Sequence, residues 1–585
     1  HPIDELIADA EKGFSALLKT EAVSLKDAAA KYRRKRGRHP PPDFDAWYNF
    51  ASSSGSVIVE DFWDQIYHDL GPFWGVNPST LRQQAHGLKP KISIRNGKVE
   101  SDPQGAYTKL QQWTDMVLTL SSHKHVRLPD VDLPFNVNEE PALAVPWETI
   151  DTMLSFSRRI KASIADVQTS FTDLETPETT ANETFGFDPE WLGPRRTHPA
   201  SALGPRPYWT VVRPACHPRS PSRLHSIMSD IWDLHGRTSE AHSAVNITPG
   251  GWPLGTLRGY VKNWTIATDV CRHSHLQGLH GAFVAPEHMS VSEKMFPLFG
   301  ASKFSMSNEI LLPGALEWNR TEISSSVDHS VGVNWATRQD KLFWRGPATG
   351  GQYSKSNWNR SHRHRFVGML NGSNILMVDQ SPNVTTSGQD ISSSRTFRLP
   401  SRDAYLLPSR HDHHLAAWVS SWADASFRTE TLDCEKLSGE ESPRCPSSFF
   451  SVAQAASGRD IEQHKYTAVV DGNGGDDGGE FTRALENGLV TLRGSVYRQW
   501  YDARIKPWVH YVPMDNTFID LLGIMEYFLP WSVGHDEQAR KIAKTGQKWA
   551  RKVLRREDML IYVYRLILEF ARVVDDSRER LGWVE

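Results

Sequence analysis

Apolar positions recur at helical spacing near both ends of the chain and in short blocks between them. Ile3, Leu6, Ile7, Phe14, Leu17 and Leu18 keep this period, so residues 1–35 read as one amphipathic helix stopped by Pro40-Pro41-Pro42. Residues 57–125 read as mostly helical, with Phe62, Trp63, Ile66, Tyr67 and Leu70 on one stripe. The blocks Val126–Phe135, Phe283–Ala285, Lys341–Trp344, Ile375–Val378 and Tyr466–Val470 are each bounded by Gly, Pro, Asn or Asp and read as strands. Pro507–Pro513 reads as a short strand held by prolines. At the end, Ala539–Leu554 and Asp558–Val574 are strongly helical, with Trp549, Leu560, Val563, Tyr564, Ile567 and Phe570 on their apolar faces. Alternating strand and helix signals predict an α/β architecture with parallel sheets. Residues 165–265 are rich in Pro, Ser and Thr. They read as long, partly ordered insertions, because Trp191, Trp209 and Trp232 need burial.

Composition narrows the compartment. Asn-x-Ser/Thr sequons begin at Asn182, Asn246, Asn263, Asn319, Asn359, Asn371 and Asn383, none with an intervening proline. Seven in about two hundred residues predict exposed, glycosylated loops in a secretory lumen. Four cysteines, Cys216, Cys271, Cys434 and Cys445, allow three pairings. Cys434 and Cys445 flank a polar loop and would close it locally, which leaves Cys216 with Cys271. With 585 residues and a formal charge of −3 the chain carries no polyelectrolyte signature, so nucleic acid is not an expected partner. The basic run Arg33–Arg38 reads as a solvated helix end. No eighteen-residue apolar run occurs, and the chain starts at His1, so a membrane contact is expected only through a removed N-terminal signal or anchor. The 21 tryptophans suit sugar stacking, but the core reading is favoured.

Three segments carry the chemistry. Lys341–Gly346 runs as a strand into Ala348-Thr349-Gly350-Gly351, where glycines would let backbone approach phosphate and Arg345 would pair with it. Tyr466–Val470 leads into Asp471-Gly472-Asn473-Gly474-Gly475 and a following helix, a ligand-binding arrangement at the carboxyl edge of a sheet. A calcium-loop reading of Asp471 fails, because Asp476 and Thr482 occupy the glycine and glutamate positions. The third segment is Pro507-Trp508-Val509-His510-Tyr511-Val512-Pro513.

In combination, FWRG-x-x-TGG, DGNG, PWVHYVP and MDNTFIDLLGIMEYF resemble the fungal branch of glycosyltransferase family 90. That family includes fungal capsule β-1,2-xylosyltransferases and animal protein O-glucosyl- and O-xylosyltransferases. Tyr32–Trp47 is similar to its N-terminal lead-in and His275-Leu276-Gln277-Gly278-Leu279-His280-Gly281 to its central segment. The resemblance covers most of 30–580 apart from insertions at 165–265 and 385–455. It implies a GT-B-type fold, two Rossmann-like domains facing a cleft. The division would be a helical lead-in at 1–125, an acceptor-side domain at 126–330, a UDP-sugar domain at 331–535 and C-terminal helices at 536–585 crossing back.

The resemblance also implies inverting transfer from a UDP-sugar, UDP-xylose first, to a mannose-containing glycan in the Golgi lumen by a type II membrane protein. One general base is then needed. The family's acidic residue falls in Asn136-Val137-Asn138-Glu139-Glu140-Pro141, so Glu139 is the expected base and Glu140 its fallback. Trp344, Arg345, Gly346, Thr349, Gly350, Gly351, Asp471, Gly472, Asn473 and Gly474 are expected at the nucleotide, and His275, Gln277 and His280 on the acceptor side. Where the family carries a diphosphate arginine after DGNG this chain has Glu480, and Arg483 is the candidate substitute. No metal cofactor is expected and manganese is not required. Asp130-Val131-Asp132 spells DxD but reads as a turn in the wrong domain, and His411–His414 as a surface turn. The rival readings are a UDP-glucose-dependent transferase, a glycoside hydrolase, which needs a second spaced carboxylate, and a carbohydrate-binding protein without catalysis.

Overall fold

The computed structural model describes residues 1–102, 108–160, 166–173, 191–192, 206–224, 252–287, 291–324, 333–354, 357–380, 396–397, 399–400, 405, 407–432, 434, 445, 449–475, 479–530 and 534–585. Much of the 165–265 insertion, including Trp232, lies outside them, as do the sequons Asn182, Asn246 and Asn383.

The amino-terminal part holds helices α1 (Pro2–Leu18), α2 (Leu25–Arg36), α3 (Phe44–Ser53), α4 (Asp64–Leu70), α5 (Pro78–Gly87), α6 (Thr108–Ser121) and α7 (Trp147–Arg159). Residues 1–35 are therefore two helices rather than one. The break is chemical: the Ser24 hydroxyl accepts from Asp27 N while the Asp27 carboxylate accepts from Val23 N, a reciprocal cap that starts a new helix. The expectation of helix through 57–125 also fails locally. Strands β1 (Lys91–Arg95) and β2 (Lys98–Ser101) form a hairpin closed by Asn96-Gly97, both with positive φ, and β3 (Val131–Pro134) pairs antiparallel with β1.

The carboxyl-terminal half is built on β4 (Gln339–Gly346), β5 (Ala423–Arg428), β6 (Val452–Ala453), β7 (His464–Val470), β8 (Val490–Gly494) and β9 (Val512–Pro513). All neighbours are parallel and the order is β6-β5-β4-β7-β8-β9. This is the 3-2-1-4-5-6 order of a doubly wound dinucleotide fold, here in a single sheet. Helices α8 (His362–Met369) and α9 (Leu415–Trp422) cover one face, and α10 (Glu480–Glu486) and α12 (Asp536–Val553) the other. Helix α11 (Leu521–Phe528) precedes α12, and α13 (Arg556–Val574) follows it. Two blocks expected as strands are helical: Ile375–Val378 lies within the helix Gly372–Gln380, and Phe283 and Val284 within Gly281–Val284. Of Pro507–Pro513 only the last two residues extend. In the 126–330 stretch the remaining described strands are two-residue pairs, such as Phe299–Gly300 with Ile310–Leu311, and no second large parallel sheet forms among the described residues.

The two ends of the chain cross over. Ile3, Leu6, Ile7 and Ala10 of α1 join the core of the parallel-sheet half, where Phe14 sets its edge against His510 and Trp549. Helix α13, buried from Asp558 to its end at Val574, enters the amino-terminal core. There the Trp47 indole donates to Ile561 O at 3.1 Å, and Arg565 lies under Tyr32, Phe44 and Trp47. The basic run is salt-bridged, Lys35 to Asp61 and Asp64 and Arg36 to Glu60. Trp47, Trp63, Trp113, Trp209, Trp318, Trp418, Trp422, Trp500 and Trp508 are fully buried, as a core role requires. The disulfides are Cys216–Cys271 and Cys434–Cys445. Among the described residues no helix is long and apolar enough to cross a membrane.

Candidate active site

Strand order reverses between β4 and β7, and the space beyond the carboxyl ends of these strands is where doubly wound sheets form their ligand crevice. The two loops at this point are Gly346–Gly351 and Asp471–Gly475, and they are locked together. Asn473 Oδ1 accepts from Gly350 N at 2.8 Å and Gly351 N at 3.1 Å. Gly350 and Gly351 hold φ of +110° and +101°, which a side chain would strain. Behind them, a Cβ on Gly281 would stand 1.5 Å from Gly350 O, so the turn after His280 packs backbone on backbone against the β4 loop. The glycine-turn amides therefore fasten the loops to each other rather than aim at open space.

His280 is part of this fastening. Completely buried, it meets Asp471 Oδ2 through Nε2 at 3.2 Å, and its Nδ1 accepts from Ala282 N. The same carboxylate oxygen accepts from Val496 N at 2.7 Å. His362 stacks on Phe518 nearby, and burial pulls its pKa well below the usual imidazole range. Among the described residues, His280, His362 and Asp471 form the one group near enough to share a cation, with ligand atoms within 4.8 Å of one another. Zinc–nitrogen bonds of about 2.0–2.1 Å would require the widest pair to close, and both His280 nitrogens are already engaged.

The cationic side chain at the crevice is Arg363, on α8. Its Nε donates to Val470 O at 3.0 Å and its Nη1 to Thr349 Oγ1 at 2.8 Å, and Gly472 leaves the room its Nη2 occupies. Burial lowers its pKa, while Glu480 and Asp471 oppose that shift. Arg345 lies elsewhere. Strand alternation puts it with Phe343 on the sheet face opposite Trp344, where it binds Asp424 Oδ1 at 2.7 Å and Asp424 O at 2.8 Å. Arg483 is exposed on α10 and reaches Gly458. Sequence reading passed over Arg363, although Asn359-Arg360-Ser361-His362-Arg363-His364-Arg365 sets charges on a helix that is buried throughout, and buried arginines need partners.

Across the crevice, Asn136 shapes the turn that presents the two glutamates: its Nδ2 donates to Glu140 O and its Oδ1 accepts from Asn138 N. Glu140 is buried, and its carboxylate accepts from Glu287 N at 2.9 Å. Glu139 keeps 42% of its side chain exposed, with Lys109 Nζ 3.7 Å away. A Cβ on Gly474 would lie 2.5 Å from Glu139 O, so the β7 loop and the glutamate turn touch.

The remaining expected positions serve packing or lie outside this cluster. Trp344 is a core residue with its ring edge against Phe366 and Phe427. Gln277 is buried and donates to Ser274 O, and burial beside His273 and Arg365 brings the His275 pKa down to about 3. Gly346 packs against the Trp344 ring. Asp132 of the DxD pairs with Arg95 and His86, and His411–His414 are exposed. Asn263 and Asn319 are exposed, and Asn359 and Asn371 half-buried.

Residues 455–580 match the family model described as glycosyl transferase family 90. An uncharacterized protein, 179R, of Invertebrate iridescent virus 6 is 22% identical over 298 residues, 48% of this chain and 23% of its own length. Protein O-glucosyltransferase 3 of Mus musculus is 28% identical over 172 residues, 26% of this chain and 33% of the relative. Protein O-glucosyltransferase 2 of Danio rerio is 31% identical over 114 residues, 20% and 22% respectively. The chain thus spans about a third or less of these relatives. The matched region runs from just before β7 through α13, taking in the Asp471–Gly475 loop and the helix that crosses back, and it is over this region that the chain is similar to glycosyl transferase family 90.

Proposed function

We propose that the chain is an inverting glycosyltransferase moving xylose from UDP-xylose to a mannose hydroxyl, in β-1,2 linkage, on a fungal glycan such as a capsule polysaccharide or glycolipid. Glu139 takes the acceptor proton, the freed oxygen attacks the anomeric carbon from the face opposite UDP, and the bond from that carbon to the diphosphate breaks. One observation carries this reading: at the strand-order reversal the Asp471–Gly474 loop, with Arg363 beside it, meets the turn bearing Glu139. Arg363 is the group suited to the diphosphate, in place of Arg345 or Arg483. In this reading the parallel-sheet half is the donor half of a GT-B-like enzyme, and the 126–330 stretch, without a second large parallel sheet among the described residues, supplies the facing turn. Transfer of glucose from UDP-glucose is the second reading, favoured by the relatives named O-glucosyltransferases. Two disulfides and the sequons suit an oxidising lumen, the Golgi by preference.

Radiolabelled UDP-xylose and UDP-glucose, each offered with methyl α-mannoside, test the proposal. A transferase consumes one donor and labels the acceptor. Cleavage of an oligosaccharide without donor would indicate a hydrolase, and sugar binding with neither reaction a lectin. Turnover should survive EDTA; complete loss restored by manganese would overturn the metal-independent form of the proposal.

A further inference from the structure

We infer that the segment Ser302–Glu309 is a positioning clamp for the Glu139 turn, with Glu309 as its central positioning residue. The inference rests on the reading of Glu139 as the base.

Segment 302–309 holds the base segment at successive points. Ser302 Oγ donates to Glu139 O at 2.8 Å. Glu309 Oε1 accepts from both Ala142 N and Leu143 N, the latter at 2.7 Å. Asn308 N donates to Leu143 O at 3.2 Å, and Asn308 Oδ1 accepts from Val145 N at 3.0 Å. Pro141 has no amide hydrogen, so Ala142 N is the first backbone donor after the two glutamates, and Glu309 takes it.

The clamp is anchored to both halves of the molecule. Lys303 Nζ donates to Asp69 Oδ1 at 2.6 Å and to Glu309 O at 2.9 Å, and the other Asp69 oxygen accepts from Leu311 N. On the nucleotide side, Arg498 N donates to Lys303 O at 2.8 Å, and the adjacent Tyr497 hydroxyl donates to Asn473 O at 2.7 Å. One segment therefore sets the glutamate turn relative to the loop that meets it at Gly474. Lys303 and Glu309 are 2% and 0% exposed, and taking such groups out of water is costly. Displacing a reacting group by about 1 Å can cost about 10²-fold in rate, so a buried polar clamp here has a catalytic use.

Burial raises the Glu309 carboxyl pKa to about 7. Its neutral form offers one carbonyl oxygen to both amides, as a glutamine would. Glu309→Gln should therefore keep the clamp, whereas Glu309→Ala leaves two buried amides without an acceptor.

The test pairs hydrogen exchange with kinetics on the full chain, using UDP-xylose and UDP-glucose with methyl α-mannoside. In Glu309→Ala, amides 142–145 should lose protection and kcat should fall about 10²-fold, with UDP affinity unchanged; Glu309→Gln should restore both. Ser302→Ala, a milder cut, should lower kcat several-fold. In a Glu139→Gln background the Glu309→Ala loss of kcat should vanish. Persistence of that loss in this background, or protection of 142–145 unaltered by Glu309→Ala, would overturn the clamp. Near-normal turnover of Glu139→Gln alone would instead sink the base assignment, while the exchange result would still decide whether segment 302–309 holds the turn.

Discussion

Gly474 and Glu139 meet with no space for a side chain: a Cβ at position 474 would lie 2.5 Å from the Glu139 carbonyl oxygen and 2.9 Å from its Cβ. The loop after β7 and the turn carrying the proposed base are thus in backbone contact, and a single methyl group must push one from the other. Gly474→Ala should reduce turnover by about 10–10²-fold through misplacement of Glu139. Its Tm should fall as well, because the clash is with backbone that segment 302–309 holds in place. Unchanged kcat in a folded Gly474→Ala variant would show that this contact does not set the reaction geometry.

Arg363, not Arg345, should govern nucleotide affinity. A charge-assisted contact contributes about 1.5–3 kcal/mol, so Arg363→Ala should weaken UDP binding by roughly 10–150-fold in calorimetry. Arg345→Ala should leave it unaltered, since that guanidinium is occupied by Asp424 on the opposite sheet face. The reverse ranking would remove Arg363 from the diphosphate.

Glu139→Gln should lower kcat by about 10²–10⁴-fold with donor affinity little changed, because a general base contacts the acceptor rather than UDP. Glu140→Gln is the informative partner. Its carboxylate is buried on Glu287 N, so its main effect should be on thermal stability rather than on the chemical step. Turnover lost only in Glu140→Gln would place the base one residue on.

Glu309 should leave a signature in stability against pH. Its folded carboxyl sits at about 7, above the ordinary value of 4.5, so the folded state holds a proton that the unfolded chain releases. Its contribution is present in full below about pH 4.5 and is lost as pH rises toward 7, each tenfold difference in proton affinity between the two states counting for about 1.4 kcal/mol. Glu309→Gln cannot titrate, so the difference in Tm between wild type and this variant should change across that window. Parallel curves between about pH 4.5 and 7.5 would contradict the raised carboxyl.

Local pattern determined much of this protein. The amphipathic C-terminal helices, the strands Lys341–Trp344 and Tyr466–Val470 with glycine-rich turns beyond them, and the α/β class all follow from periodicity and turn chemistry acting over a few residues. The short polar loop between Cys434 and Cys445 pointed to its own closure, and that left Cys216 to Cys271. Even the two helices within 1–35 and the hairpin at Asn96-Gly97 were encoded locally, in a Ser24–Asp27 cap and an Asn-Gly turn that the apolar stripe masked.

Tertiary structure decided which polar groups meet. Arg345 and Arg363 are equally cationic in sequence; strand alternation sends one to Asp424, and helix packing sends the other to Thr349. Whether Glu139 or Glu140 stays open depended on Glu287, nearly 150 residues away in the chain. The Ser302–Glu309 segment has no motif of its own, because its chemistry consists of backbone amides supplied by Ala142, Leu143 and Val145. Hydrogen-bond partners and face selection arise only when distant segments close on one another, and no local periodicity records that closure.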